Sequence, residues 1–163
     1  MPAATGKTTS PCACGRMRRA ARALTQLYDD VMAPAGLRVT QFSLLRTLAR
    51  EGNMRITELA ERQLLDRTAL SRNLDPLIAR GFVVVRPGSD ARTREVAIAA
   101  SGRAALRAAE RHWRRAQAEV AARIGEKRLA TLIETLGELE ALHPAIAVEQ
   151  QPPAIAPHPR RTA

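Results

Sequence analysis

The hydrophobic period changes once along this chain, near residue 82, and that change limits the folds open to it. Before it, Leu70, Leu74, Leu77 and Ile78 recur at helical spacing. After it, Leu106, Ala109, Trp113, Ala116, Val120 and Ile124 do the same. Between them lies Phe82-Val83-Val84-Val85-Arg86, a short β-branched run that reads as a strand. Pro87-Gly88-Ser89-Asp90-Ala91 has turn chemistry, and Arg94 to Ala99 forms a second strand. A lone hairpin cannot bury its own apolar face, so it must pack on the surrounding helices.

Those helices can be placed from the same periodicity. Met17, Ala20, Leu24, Leu27, Tyr28 and Val31 form one stripe over Arg16 to Ala33, stopped by Pro34 and Gly36. Thr40 is the expected N-cap of a second helix burying Phe42, Leu44, Leu45 and Leu48. A short helix from Ile56 runs to Leu64 or Leu65, and Asp66 caps the next, which ends at Gly81. Ser101 is the expected cap of a long helix, whose stripe resumes after Gly125 through Leu129, Leu132, Ile133, Leu136, Leu139 and Leu142. Short helix, turn, helix and hairpin in this order is the winged helix-turn-helix plan. The fold class is therefore mainly α with a small β-hairpin wing.

Charge narrows the partners. Among 163 residues, 26 are Lys or Arg and 16 are Asp or Glu, a formal net charge of +10. This predicts an anionic partner, nucleic acid or a membrane surface. No segment approaches the ~18 apolar residues of a membrane span. Met1 to Pro11 lacks a secretory apolar stretch, so a cytoplasmic protein is expected. The four aromatic residues are too few to build stacking platforms for single-stranded nucleic acid. His112, His143 and His158 have no nucleophile or metal-ligand spacing around them, and no phosphate loop or paired-carboxylate motif appears, so no enzyme is expected.

In this order the pieces resemble the MarR family of regulators across residues 16–142. The matching pieces are Gly36-Leu37 with Thr40-Gln41-Phe42, Ile56-Thr57-Glu58-Leu59-Ala60, and Thr68-Ala69-Leu70-Ser71-Arg72-Asn73-Leu74. Arg80-Gly81-Phe82-Val83, Asp90-Ala91-Arg92 and Ser101-Gly102-Arg103 follow. Ala100-Ser101 departs from the usual Leu-Thr, and Asp75 and Pro76 interrupt the recognition helix, where a proline predicts a bend. The resemblance implies a winged helix over 37–100 and dimerisation helices over 16–33 and 101–143, together a domain of residues 16–143. Residues 1–15 are expected to be a flexible segment with a Cys-x-Cys, and 144–163 a disordered Pro-rich tail. The terminal helices, with more apolar residues than one small domain needs, would interlock with a second copy. A two-fold homodimer would read a pseudo-palindromic operator in double-stranded DNA, which places the protein at the bacterial nucleoid.

On this plan Arg67, Thr68, Ser71 and Arg72 face the major groove from the first two turns of the recognition helix. Arg suits a bidentate contact to guanine, and Ser or Thr can donate, accept or touch a thymine methyl. Arg86, Arg92 and Arg94 bracket the hairpin tip, where arginine is drawn to the negative minor groove. Asp90 is expected to organise the tip by pairing with Arg92 or Arg94. Arg38, Arg46, Arg50 and Arg55 are candidate phosphate contacts, which position the protein without specifying sequence.

Two sensor readings remain open. Cys12-Ala13-Cys14 precedes the first helix beside Arg16, Arg18 and Arg19, a setting that favours thiolate. Two thiolates can be oxidised or can bind a soft metal or metalloid, with His112 or a partner chain as a further ligand; inert thiols in a frayed tail are the alternative. The resemblance also implies a small aromatic effector, with Tyr28, Phe42, His112 and Trp113 as candidate lining; for Trp113 the competing expectation is core packing. No cofactor is required. The expected function is a dimeric, effector-released repressor. The competing classes are a soft-metal-binding thiol protein without a DNA role and a non-specific architectural DNA-binding protein.

Overall fold

A computed structural model describes residues 12–88, 90 and 93–144. The elements run α1 (Ala13–Met32), a 3-10 turn (Ala33–Ala35), α2 (Val39–Glu51), β1 (Met54–Arg55), α3 (Ile56–Arg62) and α4 (Arg67–Ala79). Then come β2 (Val83–Pro87), β3 (Arg94–Ile98), α5 (Ala100–Ile124) and α6 (Glu126–Glu140). Helices dominate, and the strands form one antiparallel sheet in the order β1-β3-β2. Of the flexible ends expected at 1–15 and 144–163, residues 1–11 and 145–163 lie outside the described residues, as does Arg92, while residues 13–15 are helical.

The hairpin pairs Val83 with Ile98, Val85 with Val96 and Arg86 with Glu95. Val83, Val96 and Ile98 turn inward and are buried against Leu45, Leu48, Leu70, Leu74 and Leu77. The edge of the hairpin is closed by β1, which pairs Met54 with Val96 and Arg55 with Glu95. Periodicity could not reveal this two-residue strand, because it exists only through its partner.

Several helix starts differ from their sequence expectations. Arg38, not Thr40, is the N-cap residue of α2. The side chain of Asp29 on α1 accepts from the Val39 N–H at 2.8 Å, and Gln41 Oε1 accepts from the Arg38 N–H at 3.2 Å, so the first donors of α2 are satisfied without a threonine. Ala99, not Ser101, precedes α5. Its N–H donates to the Phe82 carbonyl at 2.9 Å, extending the strand pairing into the helix start, while the Ser101 hydroxyl donates to the Gly81 carbonyl at 2.6 Å. Helix α1 starts earlier than expected, so Cys14 lies inside it and Cys12 at its N-cap. Asp66 caps α4 as expected, its Oδ1 accepting from the Ala69 N–H at 2.8 Å. Pro76 stands inside α4 without breaking it, and Arg80 closes the last turn on the Pro76 carbonyl at 3.2 Å. Ile78, expected in the core stripe, is 39% exposed.

The first and last helices are the exceptions to burial: α1 buries only Met32, and its expected stripe from Met17 to Val31 is exposed or half-buried. None of the described α6 residues is buried, and Leu132, Ile133 and Leu139 are exposed. Such an apolar stripe without cover on its own chain is unusual for a helix of a closed core.

Candidate nucleic-acid interface

The turn between α3 and α4 aims α4 outward. Leu65 N–H donates to the Ala60 carbonyl at 2.9 Å, and Leu64 takes a left-handed φ of 49° to make the bend. Two side-chain sets fasten α3 to α2. Gln63 Nε2 donates to the buried Thr47 hydroxyl at 3.0 Å, and Arg62 pairs with Glu51 at 2.7 Å. Leu70, Leu74 and Leu77 seat one face of α4 in the core. That leaves Arg67, Thr68, Ser71 and Arg72 exposed on the other side.

Four of the sequence-predicted DNA residues come together. Arg55, Arg67, Ser71 and Arg94 line one cleft of about 400 Å³, with Ile56, Thr57 and Thr93. The cleft lies between the start of α4 and the base of the wing, and among the described residues no carboxylate contributes to its lining. Three guanidinium groups around an acid-free groove form a surface for phosphate or base edges. Thr57 and Thr93 were not foreseen; Thr93 is set by its N–H and hydroxyl, both donating to the Asp90 carbonyl at 2.8 Å. Asp90 thus organises the wing tip through its backbone as an acceptor for Thr93.

Other predicted contacts lie elsewhere or are engaged. Arg86 and Arg55 both stand opposite Glu95, one on each side of β3, so a carboxylate sits in the row between two arginines. Arg38 lines a different cleft, of about 780 Å³, with Asp29 and Arg80. Arg46 stacks its guanidinium over Trp113, 4.5 Å from the ring centroid, and Arg50 pairs with Glu51 at 2.6 Å. Sequence spacing could not show these two contacts, and both arginines stay exposed.

The four residues expected to line an effector pocket lie at or beside the core. Phe42 is fully buried and stacks on Trp113 with centroids 5.8 Å apart and planes 19° apart. Tyr28 packs on the same core, its hydroxyl donating to the Gln117 side-chain oxygen, and burial raises its pKa. The stacked pair joins α2 to α5 and lines neither of the two clefts above. His112, half-buried on α5, accepts at Nε2 from Arg111 Nε at 3.1 Å. Cys12 and Cys14 are exposed at the start of α1. Among the described residues no group of three or more His, Cys, Asp or Glu side chains is placed to hold a metal.

The MarR family model matches residues 35–93, the span from the 3-10 turn after α1 to the residue before β3. The chain is 42% identical to the Mycobacterium tuberculosis transcriptional regulator MosR, in a structure of that protein with DNA; the match covers 80% of this chain and 97% of that one, with a TM-score of 0.69. A second structure of M. tuberculosis MosR matches at 39% identity over 82% of this chain and 98% of that one, with a TM-score of 0.70. A Pseudomonas aeruginosa probable transcriptional regulator shares the fold at 22% identity, covering 79% and 97% of the two chains, with a TM-score of 0.71. A comparison with curated proteins gives no match. Among the described residues no helix is long and apolar enough to cross a membrane. With its winged helix and a relative this similar over nearly the relative's whole length, the chain belongs to the MarR family of transcriptional regulators.

Proposed function

We propose that this protein is a homodimeric, sequence-specific repressor that reads a pseudo-palindromic operator in the bacterial cytoplasm. The observation that carries the reading is the acid-free cleft in which Arg55, Arg67, Ser71 and Arg94 converge beside the exposed start of α4. Helix α4 enters the major groove with Arg67, Thr68, Ser71 and Arg72 at base edges. The wing, with Arg94, Arg86 and Arg92, reaches the flanking minor groove. Arg38 contributes a phosphate contact from the start of α2. The structures of MosR and of a MarR variant from E. coli, each with DNA, support a duplex partner. The uncovered apolar stripe of α6 supports a second copy as its cover.

Release is assigned to the exposed Cys12 and Cys14 at the first turn of α1, through oxidation or capture of a soft metal or metalloid. A small-molecule effector is the second route, supported by the PcaV structure with that protein's natural ligand.

The test is selection of duplexes from a random-sequence library by the wild-type protein, followed by binding of the selected operator. A symmetric preferred sequence, bound less tightly by Arg72→Ala by about 1–3 kcal/mol, is the expected result. A steep salt dependence with no preferred sequence makes the protein an architectural binder instead.

A further inference from the structure

Residues 33–38 join α1 to α2, and side chains from α1 and from the end of α4 hold this connector and the first residue of α2. From α1, the Asp29 carboxylate accepts from the Val39 N–H at 2.8 Å. From the far end of α4, Arg80 Nη1 donates to the Gly36 carbonyl at 2.6 Å, across 44 residues of sequence. Gly36 presents that carbonyl because it ends the 3-10 turn with a left-handed φ of 65°, its own N–H returning to the Ala33 carbonyl at 2.9 Å. Arg80 is at the same time the C-cap residue of α4, and its guanidinium lies over the Phe82 ring, 4.3 Å from the centroid. One planar group therefore touches the connector on one side and the first residue after the α4 turn on the other. Arginine suits this task, since it can stack and donate at once; a lysine ammonium offers charge without the plane or the fork.

We propose that Arg80 is a positioning residue that couples α1 to the orientation of α4, and through it to DNA affinity. The inference rests on the reading of α4 as the DNA-contacting helix. Arg80 caps the end of α4 opposite Arg67, and its donation to Gly36 and its stack on Phe82 engage its guanidinium within the chain, so its effect runs through the helix. The cleft of about 780 Å³ beside the connector, lined by Arg22, Asp29, Gly36, Arg38, Gln41 and Arg80, leaves that side of the connector open. A shift of α1 displaces Asp29, hence Val39 and Gly36, and Arg80 carries the displacement to the recognition helix.

The experiment uses the full chain and an operator duplex selected by the wild-type protein. Arg80→Gln, Arg80→Lys, Asp29→Ala and the Arg80→Gln/Asp29→Ala double variant are compared for operator affinity, for its salt slope and for urea stability, with affinity read where every variant is folded. Coupling through the junction predicts that both Arg80 variants lose about threefold to thirtyfold in operator affinity. It also predicts an unchanged salt slope and a double variant that loses less than the product of the single losses. Wild-type affinity in Arg80→Lys, or a salt slope reduced by about one in Arg80→Gln, makes Arg80 a phosphate contact and overturns the proposal. Unchanged affinity in Arg80→Gln, or strictly multiplicative losses, overturns it too. If Arg67→Ala and Arg72→Ala leave operator binding intact, the assignment of α4 fails, a result separate from the behaviour of Arg80.

Discussion

A Cβ placed on Gly102 would stand 2.2 Å from the carbonyl oxygen of Phe82. The same carbonyl accepts from the Ala99 N–H, so it cannot swing away without breaking the start of α5. The wing and the long helix are joined at the closest approach their backbones allow. Gly102→Ala is expected to cost about 1–3 kcal/mol through forced backbone movement. A urea titration checks this; a midpoint equal to wild type would show that the junction has slack.

Leu64 is the one non-glycine residue with positive φ among the described residues, and it is 38% exposed. The left-handed region costs an L-residue roughly 1–2 kcal/mol. Leu64→Gly should therefore hold stability or raise it by up to about 1 kcal/mol, despite the lost side chain. Leu64→Val should lower it, because β-branching is worst tolerated there. Thermal melts check the order: Leu64→Gly at or above wild type, Leu64→Val below it.

The apolar stripe of α6 predicts self-association. Leu132→Asp combined with Ile133→Asp places two charges on a surface whose present residues are 39% and 55% exposed. The variant is expected to sediment as a monomer and to lose operator binding, since two half-sites are then read separately. Wild-type protein that sediments as a monomer at micromolar concentration would falsify the dimer.

The thiols at the head of α1 are both exposed. Treating the operator complex with peroxide, with arsenite and with zinc should release wild-type protein, and should leave the Cys12→Ser/Cys14→Ser variant bound. Equal responses from both proteins place the sensor elsewhere.

Tyr28 has its pKa raised by burial. The folded state therefore holds the phenolic proton more tightly than the unfolded chain, so stability is intact below the unfolded value near 10 and declines as pH rises above it. Tyr28→Phe should flatten that decline, which unfolding measured from pH 9 to pH 11 would reveal.

Much of the architecture could be read from local spacing. The leucine stripe of α4, the β-branched run at Val83 and the Asp66 cap each depend on neighbours within a few residues. The core positions Phe42, Leu44, Leu45 and Leu48, all buried, follow from the same periodicity. Local spacing places the starts of α2 and α5 too late, because the groups that satisfy them, Asp29 and the Phe82 carbonyl, come from other elements. Arg46 and Arg50 looked like free cations, yet one stacks on Trp113 and the other pairs with Glu51.

By itself the sequence determined the order of the helices and the hairpin and most of the faces that α2 and α4 bury, since those depend on side-chain period and local backbone preference. Tertiary structure decided which arginines share a groove, which are spent on aromatic rings or carboxylates, and where the connector after α1 is gripped. The physical reason is distance along the chain. Arg55 meets Arg94, Gly36 meets Arg80, and Phe42 meets Trp113 only when separate helices and strands are packed around one core.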